Sequence, residues 1–241
     1  MDLEIILLSD KRYLKYVKIF LHSVKDNLFG CKINLCLINV LDNKIESKLK
    51  KIYPSITIDH ISKKFLSFAD KKAFCSNFRV FYISKKLKET KSSLLYMDCD
   101  SLVRKGLSFK DFENSGDISI LHRDSLDKRF KFATGIIFTR NNSSTKKFFR
   151  DWEAAILPKI HTWFSDQITF FENYMKYKNI IVFSQLDKKF IDWEFKDNSI
   201  VWTGKGSRKK NNLKYVLETF VYRTNSQFIK NFISFLQQKI S

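Results

Sequence analysis

Two aspartates with one residue between them, Asp98 and Asp100, close the apolar run SLLYMDCD, residues 93–100. In an extended chain alternate side chains point the same way, so both carboxylates can converge on one ion. Paired carboxylates suit a hard divalent cation such as Mn2+ or Mg2+, which takes oxygen ligands. The apolar residues before them strengthen that reading, because acids at the edge of a core demand a counter-charge. The alternative is a pair of loop acids neutralised by neighbouring lysines or arginines. A second group complements the first. In WTGKGSRKKN, residues 202–211, Gly204 and Gly206 let the backbone approach a ligand closely, and Lys205, Arg208, Lys209 and Lys210 supply charge that would neutralise phosphates. The spacing is not that of a Walker A loop. Taken alone, the segment reads as an exposed basic turn.

The elements that must position these groups alternate in type. EIILL, 4–8, reads as a strand followed by a candidate cap at Ser9-Asp10. Tyr13, Val17, Phe20, Leu21 and Val24 have helical spacing within 13–27. Strands are expected at 33–40 and 56–62, with an amphipathic helix at 43–53 closed by Pro54 between them. Residues 71–89 read as one helix with Phe74, Phe78, Phe81 and Tyr82 on one face, and 93–100 as the next strand. Such alternation indicates an α/β fold with a largely parallel sheet flanked by helices. Ligands of such sheets sit beyond the carboxyl ends of the strands, which is where Asp98 and Asp100 fall.

The second half has a different grammar. Residues 116–124 and 132–140 read as a β-pair joined by a basic loop. Helices are expected at 143–156, begun by a Ser/Thr cap, and at 165–177, with Ser165 or Asp166 near its start. A strand at 179–184 and the basic loop at 200–211 lead to a last amphipathic helix at 217–240. Its stripe of Phe228, Phe232, Phe235 and Leu236 reads as core packing rather than a membrane contact.

Composition sets the outer bounds. A chain of 241 residues, 44% hydrophobic, is long enough for one good-sized core and a single domain. The net charge of +19 would attract nucleic acid, phosphorylated substrates or an acidic membrane surface, but the cations are dispersed and match a compositional bias as well as a binding face. Cys31, Cys36, Cys75 and Cys99 form no CxxC pair and no zinc-ligand spacing. They read as buried small apolar residues in a reducing compartment. The N-terminus has acids where a secretory signal needs a basic region, and no run reaches the length of a membrane span. The expected location is cytoplasmic, with peripheral contact at the inner face of the membrane as a variant of it.

In LLYMDCDSLV the chain resembles the metal site of GT-A fold nucleotide-sugar glycosyltransferases, nearest to glycosyltransferase family 8 and its relatives. Further pieces follow in that family's order. ILLSD stands where the family holds the nucleotide base, which implies roles for Ser9 and Asp10. Arg79 in NFRVFYISKKL matches an Arg on the helix before the DxD strand. ATGIIF matches a small-Gly turn, with Thr134 for Asn and then Gly135. SDQITFF matches an Asp-Gln pair opening a helix, and VWTGKGSRK stands in place of a closing His-x-x-Gly-x-x-Lys loop.

The resemblance implies a single GT-A, Rossmann-like domain over 1–241, with a nucleotide-binding half at 1–105 and an acceptor or closing half at 106–241. It implies metal-dependent transfer of a sugar from a nucleotide-diphosphate donor, UDP-sugar favoured, to a glycan or glycolipid, as in polysaccharide or lipopolysaccharide synthesis. Asp98 would contact the ribose or the metal, Asp100 the metal directly, and Arg79 the donor's phosphates or sugar. Asp166 and Gln167 would be the catalytic pair at the sugar hydroxyls. Gly204, Lys205, Gly206 and Arg208 would close on the diphosphate, while Lys209 and Lys210 read as solvated. On the residues alone, Arg79 reads equally well as a supporting or surface cation, and Asp166 as a helix cap. Trp152, Trp163, Trp193 and Trp202 read as core before they read as sugar platforms.

One departure stands out. The family's closing His is a metal ligand, and this chain has Val201 or Trp202 there. Its histidines are His22, His60, His122 and His161. Two other readings therefore remain: a nucleic-acid-binding protein, without specific sequence motifs to support it, and a catalytically degenerate GT-A-like binding protein.

Overall fold

Residues 3–8 are apolar throughout except for Glu4, and a strand of that kind must be covered on both faces, as in the middle of a parallel sheet. The computed structural model, which describes residues 2–28, 31–204, 206 and 208–224, has that arrangement. In chain order the first half comprises β1 (Leu3–Asp10), α1 (Leu14–Asn27), β2 (Lys32–Ile38), α2 (Asn43–Ile52), β3 (Ile56–Ile61), α3 (Phe68–Asn77), α4 (Arg79–Glu89) and β4 (Ser93–Met97). The second comprises β5 (Ser101–Val103), β6 (Ile118–His122), α5 (Lys128–Lys131), β7 (Phe132–Thr139), α6 (Ser143–Ile156), α7 (Ser165–Tyr177), β8 (Phe183–Gln185), β9 (Val201–Thr203), α8 (Arg208–Asn211) and α9 (Leu213–Thr224).

Seven strands form one sheet in the order β3-β2-β1-β4-β7-β6-β8. Only β7 runs against the rest, pairing antiparallel with both β4 and β6. The fold is thus mixed α/β with a largely parallel central sheet flanked by helices, as expected. Alternate residues of β1 feed two cores. Leu3, Ile5 and Leu7 pack with Val17, Phe20 and Leu21 of α1 and Leu49 of α2. Ile6 and Leu8 pack on the other side with a cluster that includes Val80, Ile83, Phe148, Trp152 and Phe170. Glu4, buried among them, is held by Asn34 and Thr90. A separate antiparallel pair, β5 with β9, sets Leu102 opposite Trp202 and fastens the closing segment to α1 through Ile19, Tyr215 and Tyr222.

Several expected boundaries move, each for a local reason. The helix at 71–89 is two helices broken at Phe78, where the Arg79 Nε takes the Ser76 carbonyl at 2.6 Å. Strand β4 stops at Met97, and a turn closed by Ser101 N–H on the Asp98 carbonyl at 2.9 Å follows it. Asp98 and Asp100 therefore do not alternate along one extended strand. Ser9 and Asp10 end β1 rather than follow it. Asn142, not a Ser or Thr, caps α6, and Phe164 in the left-handed region precedes α7 with no side-chain cap. The strand at 179–184 shrinks to β8, because the amides of Ile180 and Ile181 turn back to the Tyr177 carbonyl. The segment 200–211 is not all loop, containing β9 and α8. Cys36 and Cys99 are buried, but Cys31 and Cys75 only partly, and all four are free thiols. Trp152 and Trp202 are core residues, whereas Trp163 is exposed beneath the Lys72 ammonium. The stripe of Phe228, Phe232, Phe235 and Leu236 lies outside the described residues.

Candidate active site

Strands β1 and β4 are parallel neighbours, so their carboxyl ends open on the same edge of the sheet. Ser9 and Asp10 stand at one end, and the turn carrying Asp98 and Asp100 follows the other. Strand β7 reaches the same edge by an irregularity. Ile120 pairs with Ile137 and Leu121 with Ala133, so Thr134, Gly135 and Ile136 are extra residues relative to β6. The Asp98 amide donates to the Gly135 carbonyl at 2.8 Å. A side chain at position 135 would place its Cβ 2.8 Å from Asp98 Oδ2, so only glycine leaves that carboxylate room.

Arg79 ties four stretches of chain together. Its Nη1 donates to the Thr134 carbonyl at 2.7 Å and lies 3.2 Å from Asp98 Oδ1. Its Nε lies 3.8 Å from Asp166 Oδ2. Burial opposes the guanidinium charge, and the carboxylates, Asp98 foremost, more than offset it, so its pKa is raised. Asp98 Oδ1 also accepts from Tyr96 Oη at 2.9 Å, and burial holds that phenol well above its ordinary range. Asp166 is not a helix cap. Its Oδ2 accepts from the Thr134 hydroxyl at 2.7 Å, and its amide donates to Asn77 Oδ1 at 3.0 Å. Burial raises its pKa, partly countered by Arg79, and its Oδ1 is buried with no hydrogen-bond partner among the described residues. An unsatisfied carboxylate oxygen of that kind is costly and marks a place for a donor.

Asp100 belongs to a different cluster. Lys209 Nζ lies 2.6 Å from its Oδ2, with both side chains almost fully buried. Lys209 is therefore not solvated, as the sequence suggests, because α8 turns it inward. Burial pushes the Asp100 carboxyl up and Lys209 pulls it back, leaving it at about 6. Burial likewise opposes the Lys209 charge, but Asp100 dominates and raises its pKa. The Asp100 carbonyl accepts from Gly204 N–H at 3.1 Å and from Tyr215 Oη at 2.6 Å.

The remaining expected residues scatter more widely. Asp10 accepts from the amides of Arg12 and Tyr13 and pairs with Lys71 at 2.6 Å, while the Ser9 hydroxyl turns to the Asp10 carbonyl. Gln167 Oε1 accepts from Arg123 at 3.1 Å, apart from the Arg79 cluster. Gly204 serves a close approach to Asp100 and Tyr215, whereas Gly206 has the left-handed φ of 57° that a turn needs. Arg208 is exposed at the start of α8, as is Lys210, and Lys205 lies outside the described residues.

A divalent ion does not fit this arrangement. Asp98 and Asp100 each already hold a protein cation, Arg79 and Lys209. No group of three or more His, Cys, Asp or Glu side chains is placed to hold a metal among the described residues. Val201 and Trp202, the two candidates for the closing His position, are both buried, and the Trp202 indole N–H donates to the Lys196 carbonyl. His60 pairs with Glu46 and His161 with Asp70 rather than with Asp98 or Asp100. Sequence reasoning missed Tyr96, Asn77, Lys71 and Tyr215. Only Tyr96 had a readable signal, since it alternates with Asp98 at the strand end.

Residues 31–220 match the family model of nucleotide-diphospho-sugar transferases, well over half of the chain. The chain belongs to that family. No curated protein matches it. Among solved structures it resembles the glycosyltransferase GlyE of Streptococcus pneumoniae, at 14% identity over 92% of this chain and 60% of that one, with a TM-score of 0.62. It also resembles the bifunctional glycosyltransferase WbbM, at 9% identity over 97% of this chain and 51% of that one, with a TM-score of 0.65. The galactosyltransferase LgtC, solved with donor and acceptor sugar analogues, matches at 13% identity over 84% of this chain and 87% of that one, with a TM-score of 0.55. At these identities the likeness is one of fold, the GT-A type. The chain spans about 60% of the length of GlyE and half of WbbM. Among the described residues no helix is long and apolar enough to cross a membrane.

Proposed function

We propose that this nucleotide-diphospho-sugar transferase moves a sugar from a UDP-sugar to a glycan or glycolipid hydroxyl, within one domain spanning 1–241. The observation that carries the reading is the convergence of Asp98, Arg79, Gly135 and Asp166, from four separate stretches, at the carboxyl ends of β1 and β4. Ligands of open α/β sheets bind at such ends. Ser9 and Asp10 would face the base, Asp98 the ribose, and Arg79 and the segment of Gly204 and Arg208 the diphosphate. Asp166, with its unsatisfied buried oxygen, would accept a sugar hydroxyl, assisted by Gln167.

In the reaction the anomeric C–O bond to the diphosphate breaks and its electron pair leaves with the diphosphate. The acceptor oxygen bonds to the anomeric carbon and releases its proton. Positive groups fixed where the leaving group gains charge lower the barrier most. No step is routed through Mn2+ or Mg2+, because the carboxylates that would hold the ion are already paired. With a net charge of +19, an acidic membrane face carrying a glycolipid is the surface such a chain would meet.

The test is UDP release from a panel of UDP-sugars, with and without oligosaccharide or glycolipid acceptors. Release by the wild type and its loss in an Asp98→Asn chain that still melts cooperatively, at a temperature lowered by the loss of the Arg79 pair, support the reading. Equal release by both chains would remove Asp98 from the site. Tight, salt-resistant binding of nucleic acid instead of nucleotide sugar would favour the other reading of the charge.

A further inference from the structure

The expected position of a metal at Asp100 is taken by an ammonium. Lys209 Nζ, 2.6 Å from Asp100 Oδ2, also lies 4.8 and 4.7 Å from the ring centroids of Tyr13 and Tyr16. One carboxylate and two aromatic faces are a built receptor for a cation on a stem. The backbone around it is fitted just as closely. The Asp100 carbonyl accepts from both Gly204 N–H and Tyr215 Oη, and a Cβ on Gly204 would lie 2.8 Å from that oxygen and 2.9 Å from that hydroxyl. The neighbouring acids follow the same rule. Asp10 has Lys71 at 2.6 Å, and Asp98 has Arg79 at 3.2 Å. A divalent ion bridging Asp98 and Asp100 would strand Lys209 in a nearly closed site with no carboxylate, and an unpaired buried charge is strongly disfavoured.

We propose that Lys209 is the resident counter-cation of Asp100 and that this chain holds the donor's diphosphate with Lys209 in place of a divalent ion. The proposal rests on the sugar-transfer reading above. An ammonium carries three N–H donors, and Asp100 occupies one, which leaves others for phosphate oxygens. A cation tethered to α8 need not be captured from solution, so nucleotide binding is independent of chelators. Lys209 thereby joins the binding of the nucleotide to the docking of α8 and α9, which meet Asp100 through Lys209 and Tyr215.

The experiment titrates UDP into the wild type and into Lys209→Met by calorimetry, in excess EDTA and in excess MnCl2. The free Mn2+ signal is followed in parallel by electron paramagnetic resonance. The wild type should bind UDP equally in both buffers and take no Mn2+ from the free signal beyond what UDP alone chelates. Lys209→Met should bind UDP roughly tenfold more weakly in EDTA, the loss of one charge-assisted contact. Wild-type binding that requires Mn2+, with one ion lost from the free signal per chain, would overturn the proposal. So would unweakened binding by Lys209→Met in EDTA. Should that variant not fold, the two wild-type titrations decide alone. If UDP, GDP, CDP and ADP all fail to bind in either buffer, the sugar-transfer reading falls and this proposal with it, a result distinct from binding that needs Mn2+.

Discussion

Adding one methyl group at Gly135 should disable the site while leaving a folded protein. In Gly135→Ala the new Cβ would stand 2.8 Å from Asp98 Oδ2, where ordinary contact begins at 3.4 Å. The carboxylate, about a third exposed, must retreat by about 0.6 Å. It cannot do so freely, because Oδ1 is held by Tyr96 at 2.9 Å and by Arg79 at 3.2 Å. Overpacking of this kind costs about 1–3 kcal/mol. For a chain of this length that lowers the melting temperature by roughly 2–12 °C. A misplacement approaching 1 Å at a reacting centre costs up to about 100-fold in rate. The assay is UDP release from the active donor, paired with a thermal melt, and Gly106→Ala is the control, since nothing lies within 4 Å of a Cβ there. Gly106→Ala should match the wild type in both measurements. A Gly135→Ala chain that melts normally and turns over within twofold of wild type would refute the placement of Asp98 in the site.

Asp166→Asn keeps the Thr134 hydrogen bond and leaves Arg79 its contact with Asp98, so it should cost under about 3 kcal/mol by denaturant melt while turnover falls about 100-fold or more; near-normal turnover would make Asp166 structural. Lys71→Met strips the 2.6 Å partner from the buried Asp10 carboxylate but leaves it the amides of Arg12 and Tyr13, and should destabilise by about 1–3 kcal/mol in the same assay. Burial pushes the thiols of Cys36 and Cys75 up to about 12, so they stay protonated at pH 8 and become reactive only as pH climbs toward 12. Ellman's reagent at pH 8 should therefore label the folded chain slowly and all four cysteines quickly in guanidinium; rapid labelling of Cys36 in the folded chain would contradict its burial.

Local sequence patterns set some elements and left others to tertiary contacts. Helices α6 and α7 keep the expected bounds, 143–156 and 165–177, because each has an amphipathic pattern of its own. The break at Phe78 was not legible, since it depends on Arg79 turning back to Ser76 and across to Thr134, which lies 55 residues away. The DxD pair shows the same limit. Its two acids were legible at the carboxyl end of an apolar strand, which is where the structure has them. Their separation into two clusters was not legible, because a turn after Met97 sends Asp98 to Arg79 and leaves Asp100 to Lys209, 109 residues later. No local signal separates Lys209 from Arg208 and Lys210 in a run of cations. Only the docking of α8 does that.

The proposed function requires a nucleoside diphosphate to bind at the carboxyl ends of β1 and β4. Hydrogen–deuterium exchange with and without saturating UDP measures this directly. Exchange should slow at residues 9–13, at the turn 97–103 and at 201–204, with the outer strands β3 and β8 unchanged. No change at those three segments, or protection confined to another face of the sheet, would contradict it.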